Sequence, residues 1–142
     1  MLTLSLVILL SCPAPACSCV PVPGPAEAVA QAGLVFEGTP VRVRDTLTAI
    51  TGFGGKPETS RQLLFTVVVS RQWKGVVRDT VEVITGTGGG NCGYPFEIGQ
   101  RYLIFPFPDD AAASPILNVS ICSDTKPTAE AESELRVLRT GS

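Results

Sequence analysis

A strongly strand-forming segment occupies residues 63–73, LLFTVVVSRQW. Its β-branched and aromatic side chains favour extended backbone. A turn at Lys74-Gly75 follows, and residues 80–85, TVEVIT, then alternate between apolar and polar positions, as a half-buried strand does. These two neighbouring segments predict that the domain is built around a β-sheet.

Upstream of this pair the sequence predicts a short helix and one further strand. Residues 26–32 are rich in Ala and precede Gly33, which is typical of a helix end. Residues 34–44 form the predicted strand, and Gly38-Thr39-Pro40 within it indicates a bulge or bend. We expect residues 45–61, which contain several glycines, to form a long mobile connection.

Downstream we expect two more strands, over residues 101–107 and 117–122, and an amphipathic helix over residues 128–138. In this helix Ala131, Leu135 and Leu138 fall on one face, and the expected N-terminal cap is Thr128. The predicted fold class is therefore all-β with one or two short helices. Specifically, we expect a five-stranded, OB-fold-like Greek-key barrel with a C-terminal helix.

The first 16 residues carry no charge and contain an apolar run that is too short to span a bilayer. Ala14-Pro15-Ala16 places small residues before Cys17, so we expect residues 1–16 to be a signal peptide and residues 17–142 to be one secreted, extracellular domain. Two alternatives remain open. The segment could be a buried first strand, or Leu9-Leu10-Ser11-Cys12 could be a lipobox. In that case Cys12 would be lipidated, and a bacterial protein would be periplasmic or lipid-anchored.

Five cysteines are present, and cleavage before Cys17 leaves four of them, an even number suited to an oxidising compartment. Four cysteines allow three pairings. A bridge between Cys17 and Cys19 would be strained and is disfavoured. We therefore expect Cys17 and Cys19 to reach different partners, Cys92 and Cys122.

Composition excludes several classes of function. The chain has no histidine, which removes the commonest general base and every His-based zinc site. The net charge is −2 and the basic residues are scattered, so we expect no nucleic-acid partner. Residues 86–90, GTGGG, lack the Lys-Ser/Thr of a P-loop and predict a flexible connection. Four isolated carboxylates indicate solvated surface rather than an enzyme site: Glu27, Glu37, Glu82 and Glu97.

Cys17-Ser18-Cys19-Val20-Pro21, placed directly after the predicted cleavage site, resembles the mature start of the tissue inhibitors of metalloproteinases. Further similarities follow in order along nearly the whole mature chain. They are Leu34-Val35-Phe36-Glu37-Gly38, Trp73-Lys74-Gly75, Cys92-Gly93-Tyr94, Tyr102-Leu103 after Gly99, and Cys122-Ser123. The opening segment and the two later cysteines carry most of the resemblance.

The resemblance implies a netrin-type, OB-like barrel with the disulfides Cys17–Cys92 and Cys19–Cys122. It also implies a minimal relative that consists of the inhibitory domain alone, without the family's second, C-terminal domain. The family's third bridge in the inhibitory domain has no counterpart among these cysteines. We expect a monomer without a transmembrane helix and without a cofactor of its own.

In such inhibitors the free amine and carbonyl of the first cysteine, here Cys17, chelate the catalytic zinc of a target metalloprotease. The resemblance implies that Ser18 enters the specificity pocket of that protease and that Cys19, Val20 and Pro21 lie along its cleft. Gly90, Asn91 and Gly93 would pack beside them. The alternative is a netrin-like extracellular module that binds a protein without inhibiting it; with the lipobox, this module would be a lipoprotein through Cys12.

Overall fold

The structure is a computed structural model that describes residues 17–20, 24–107 and 116–141. The predicted signal peptide, Cys12 and Pro21 lie outside these residues. The described part of the chain contains two short helices and a six-stranded sheet. None of its helices is long and apolar enough to cross a membrane.

In chain order the helices and strands are α1 Pro25–Gln31, β1 Val35–Thr51, β2 Pro57–Lys74, β3 Thr80–Gly86, β4 Tyr102–Ile104, β5 Ile116–Asn118, β6 Lys126–Pro127 and α2 Glu132–Thr140. The strand order in the sheet is β5-β3-β2-β1-β4-β6. Strands β3 and β5 run parallel, whereas the other neighbours are antiparallel. The predicted class, all-β with short helices, is confirmed, and closure of the sheet into a barrel stays a prediction.

The prediction of a mobile connection over residues 45–61 is wrong. Pairing between β1 and β2 continues from Asp45 opposite Leu63 to Thr51 opposite Pro57, so this segment is the outer part of one long hairpin. Its glycines are confined to the turn at residues 52–55, while residues 46–51 are mostly strand-forming Thr, Leu and Ile. The hairpin extends past the core, which is why its sequence lacks a clear buried face.

The bend predicted at Gly38-Thr39-Pro40 is confirmed. The register between β1 and β2 shifts between Glu37 and Gly38 and again between Pro40 and Arg42. A Cβ atom on Gly38 would lie 2.6 Å from a methyl carbon of Val67, so a side chain at this position would force the strands apart. The shifts bend β1 where it leaves β4 and continues into the hairpin.

The strand count also differs from the prediction, and the last two predicted strands are shorter than expected. The sixth strand, β6, has only two residues and pairs Lys126 with Leu103 of β4. Strand β4 ends at Ile104, close to Pro106, which has no backbone N–H for a ladder. Strand β5 ends at Asn118, because the backbone then turns and the amide of Ser123 bonds to the carbonyl of Ser120.

The described residues form two buried clusters. The larger cluster contains Leu34, Phe36, Phe65, Val67, Val81, Val83, Phe96, Tyr102, Ile104, Leu117 and Val119. The smaller one lies where the two helices meet the sheet and contains Val29, Val35, Leu103, Phe105, Ala131 and Leu135. Neighbouring residues of β1 and β4 alternate between the two clusters, as successive side chains on a strand must.

Helix α2 presents the predicted apolar face. Ala131 and Leu135 are buried, and Leu138 packs against the same cluster. The predicted cap is wrong, because Thr128 opens a separate 3₁₀ turn at Thr128–Glu130 and α2 begins only after Ala131. The hydroxyl of Thr128 is buried and accepts no bond from a helix amide.

Glu37 is also not the solvated carboxylate that was predicted. Its side chain is buried, and Oε1 accepts a hydrogen bond of 2.8 Å from the indole Nε1 of Trp73. The other carboxylate oxygen lies 3.9 Å from the guanidinium of Arg101. Because a buried carboxylate needs such partners, Glu37 stabilises the contact between β1, β2 and the start of β4.

Candidate functional site

The N-terminal segment, residues 17–20, lies on the surface of the domain. Cys17 is half-buried, whereas Ser18, Cys19 and Val20 are exposed. Val20 leaves 87% of its surface accessible. The segment is therefore presented to solvent rather than packed into the sheet.

Two disulfide bridges hold this segment, and they have the pairing that the resemblance implies. Cys17 is bonded to Cys92 with a Cα–Cα distance of 5.6 Å, and Cys19 is bonded to Cys122 at 5.3 Å. The bridges join residues 75 and 103 positions apart in the sequence. They are compatible with an extracellular or secreted protein.

The partner cysteines of these bridges, Cys92 and Cys122, lie on two backbone segments that together support residues 17–20. The amide of Ile121 donates a hydrogen bond of 3.0 Å to the carbonyl oxygen of Cys92. The next amide, that of Cys122, bonds to the hydroxyl oxygen of Ser120 at 3.0 Å. Both cysteines of the N-terminal segment are thus anchored to backbone segments that are themselves hydrogen-bonded to each other.

The glycine-rich loop beside Cys17 has a defined conformation. Gly89–Asn91 form a 3₁₀ turn, and the amide of Cys92 closes it on the carbonyl of Gly89 at 3.3 Å. The sulfur of Cys17 lies 3.3 Å from that same carbonyl oxygen. The predicted connection therefore ends in a turn that contacts Cys17 directly.

The side chain of Asn91 makes three hydrogen bonds within and beyond this loop. Oδ1 accepts from the amide of Gly88 at 3.0 Å, while Nδ2 donates to the hydroxyl of Thr87 at 3.3 Å and to the carbonyl of Arg61 at 3.1 Å. Arg61 belongs to β2, so the loop is attached to the long hairpin.

Gly93 is buried, unlike the exposed residues before it. A Cβ atom at this position would overlap the backbone carbonyl of Gly86 and lie 2.5 Å from the amide nitrogen of Gly88. The preceding residue, Cys92, has φ +55°, a left-handed conformation that is uncommon for residues other than glycine. The backbone therefore reverses direction at Cys92 and Gly93 and packs against Gly86 and Gly88, which leaves the Cys92 side chain bonded to Cys17.

The structure brings most of the predicted site residues together around the Cys17–Cys92 bridge. Residues 17–20 and the exposed Gly90 and Asn91 lie on either side of the Cys17–Cys92 bridge. Gly93 supports the loop from beneath and is not available to a partner. Pro21 lies outside the described residues.

Ile121 is a further candidate contact residue, and no sequence pattern singles it out. It is 44% exposed, bonds to Cys92 through its amide and immediately precedes Cys122. An apolar residue next to a cysteine is too common to predict a surface position, so only the fold reveals it.

Two ionisable groups near the bridges have altered pKa values. Burial, reinforced by Tyr102 and Glu130, raises the pKa of Tyr94 to about 12. Burial also raises the pKa of Asp124, while Lys126 partly opposes this and Glu134 adds to it. Tyr94, two residues after Cys92, is therefore neutral at physiological pH.

Within the described residues no group of three or more Cys, His, Asp or Glu side chains could hold a metal ion. The site consists of an exposed segment, residues 17–20, that is attached by two disulfides and carries apolar and small polar side chains. Comparison with known proteins adds no identification, because no family model matches the chain and no curated protein matches it significantly.

Proposed function

We propose that the mature protein begins at Cys17 and inhibits zinc metalloproteases by binding the catalytic zinc with its N-terminus. The observation that supports this most is the double anchoring of an exposed segment, residues 17–20, through Cys17–Cys92 and Cys19–Cys122. Anchoring removes much of the conformational entropy that a free peptide would lose on binding.

The chemistry requires a free amine on residue 17. A catalytic zinc keeps one coordination position open for water or substrate. The α-amine and carbonyl oxygen of Cys17 would form a five-membered chelate ring in that position. The amine must be neutral to bind, and since an α-amino pKa is about 8, deprotonation at pH 7 costs only about 1.4 kcal/mol.

The neighbouring side chains would determine the fit. Ser18, the first side chain after the amine, is small and exposed. It would enter the specificity pocket without filling it, which predicts a broad rather than a narrow range of target proteases. Val20 and Ile121 offer apolar surface on the same support, and Gly90 and Asn91 would lie beside the cleft.

One added residue tests this proposal. The protein starting at Cys17 is compared with a variant that carries an extra alanine before Cys17, and the control carries the extra alanine after Ser142. We expect the N-terminal alanine to raise the inhibition constant against a panel of zinc metalloendopeptidases by at least about a hundredfold, or about 2.7 kcal/mol. The control should inhibit like the parent protein. Equal inhibition by all three, with both bridges intact by peptide mapping, contradicts zinc chelation.

The alternative function is a protein-binding module that does not use the N-terminus. The outer part of β1 favours it, because four apolar side chains there are exposed: Val41, Val43, Leu47 and Ile50. Such a module needs no free amine, and lipidation at Cys12 would leave it intact while converting the Cys17 amine into an amide. A parent protein that inhibits no member of the panel would favour this alternative.

A further inference from the structure

We propose that Asn91 is a positioning residue. The hydrogen bonds of its carboxamide order the loop over residues 88–91, and this loop orients Cys92 toward its disulfide partner, Cys17. The expected effect of Asn91 on inhibition rests on the proposed function. Its effect on the loop and on the Cys17–Cys92 bridge can be measured on the protein alone. This positioning role is distinct from the role that the proposed function gives Asn91, in which this residue lies beside the protease cleft.

The hydrogen bonds of Asn91 fix both the orientation of its amide and the shape of the loop. The Gly88 amide can only donate and the Arg61 carbonyl can only accept, so Oδ1 must face Gly88 and Nδ2 must face Arg61. The loop is thereby closed on itself over residues 88–91 and attached to β2 at the same time.

The loop needs this support because of the residue that follows. Cys92 is left-handed at φ +55°, and a residue other than glycine keeps such a conformation only where its surroundings impose it. Besides its disulfide to Cys17, two backbone hydrogen bonds constrain it directly, that of its amide to Gly89 and that of its carbonyl to Ile121. Asn91 orders the Gly88–Gly89 backbone on which the first of these depends.

The bridge of Cys17 is the part of the site that depends on the loop. Cys17 is attached to Cys92 and contacts the carbonyl of Gly89, whereas Cys19 is attached to Cys122, outside the loop. Loss of the Asn91 carboxamide should therefore make the Cys17–Cys92 bridge easier to reduce, with a smaller effect on Cys19–Cys122. A residue with a merely global structural role would affect both bridges alike.

Two substitutions separate the contributions of the side chain. Asn91→Ala removes all three hydrogen bonds. Asn91→Asp keeps an acceptor for the Gly88 amide but places a carboxylate oxygen against the Arg61 carbonyl, where two acceptors repel. Gly90→Ala is the matched control for loop order, because a Cβ atom at Gly90 meets nothing within 4 Å.

The experiment measures the rate constants for reduction of each bridge by dithiothreitol and the exchange rate of the Gly88 amide. For Asn91→Ala we expect reduction of Cys17–Cys92 to accelerate about tenfold relative to Cys19–Cys122, with amide exchange about tenfold faster. Asn91→Asp should accelerate reduction but retain more protection at Gly88. Gly90→Ala should stay within about twofold of the parent in both rates.

Equal acceleration of the two bridges by Asn91→Ala, or acceleration of neither, would overturn the positioning role. Inhibition is measured on the same variants, and we expect the inhibition constant of Asn91→Ala to rise about tenfold. If the parent protein does not inhibit while the reduction rates change selectively, the proposed function fails and Asn91 still positions the N-terminus. The two failures are thus distinguishable.

Discussion

The backbone amide of Ile121 donates a hydrogen bond of 3.0 Å to the carbonyl oxygen of Cys92. This bond joins the loop that holds Cys17 to the segment that holds Cys19. The N-terminal segment is therefore attached to one continuous support. An inhibitor that acts through its first residue needs such a support, since any freedom of that residue would be lost on binding.

Removal of the second bridge should weaken both stability and inhibition. Replacing Cys19 and Cys122 together by alanine avoids an unpaired thiol and opens a connection across 103 residues. We expect the free energy of unfolding in guanidinium chloride to fall by up to about 4–5 kcal/mol. Inhibition should weaken under conditions where circular dichroism shows a folded protein. Unchanged inhibition by the folded variant would mean that Cys19 has no part in presenting Cys17.

Gly93 should tolerate no side chain. Gly93→Ala places a Cβ atom against the backbone of Gly86 and Gly88, so the loop must move. We expect a loss of about 1–3 kcal/mol in unfolding free energy, as in other overpacked sites. Gly90→Ala is the matched control within the same loop, with an expected change within about 0.5 kcal/mol. Similar stability of the two variants would show that the loop is not packed as described.

Inhibition should strengthen with pH through the titration of the α-amine. Because only the neutral amine binds zinc, the inhibition constant should fall about tenfold between pH 6 and pH 7 and level off above about pH 8. Titration of the protease itself is followed separately through kcat/KM at each pH. Inhibition that remains constant from pH 6 to pH 8, after this correction, speaks against amine coordination.

The ionised carboxylate of Asp124, two residues after Cys122, should lower the free energy of unfolding at neutral pH. Burial raises the pKa of its carboxyl in the folded protein, so the folded state binds protons more tightly than the unfolded state. Stability then falls as the pH rises from about 4 through the higher folded pKa. We expect Asp124→Asn to raise the free energy of unfolding at pH 7 and to have little effect below about pH 3.

The control for this prediction is Asp79→Asn at an exposed position. Urea unfolding of parent and variants across this pH range gives the comparison. A lower stability of Asp124→Asn at pH 7 would mean that attraction to Lys126 outweighs the effect of burial.

Local sequence signals predicted part of this structure correctly. The β-branched residues of β2 and β3, the bend at Gly38-Thr39-Pro40 and the apolar face of α2 depend on neighbours in the chain. The outer hairpin was missed because both of its faces are largely exposed, so no buried pattern marks it. Contacts between residues far apart in the sequence could not be predicted either. An example is the hydrogen bond of Glu37 with Trp73, 36 residues away.

At the candidate site, too, local sequence signals could be predicted and contacts between distant residues could not. The cysteines and the exposed Ser18 could be identified from their spacing and from the resemblance. The role of Asn91 could not, since its bond to Arg61 spans 30 residues. The position of Ile121 depends on a hydrogen bond to Cys92 that no sequence pattern encodes.

The most direct test is the zinc coordination in a complex between the protein starting at Cys17 and a metalloprotease that it inhibits. A crystal structure or X-ray absorption spectrum reports the ligands of that zinc. We predict that the α-amine nitrogen of Cys17 lies about 2.0–2.2 Å from the metal and replaces the bound water. A zinc ion that retains its water, with Cys17 outside the coordination sphere, would contradict the account.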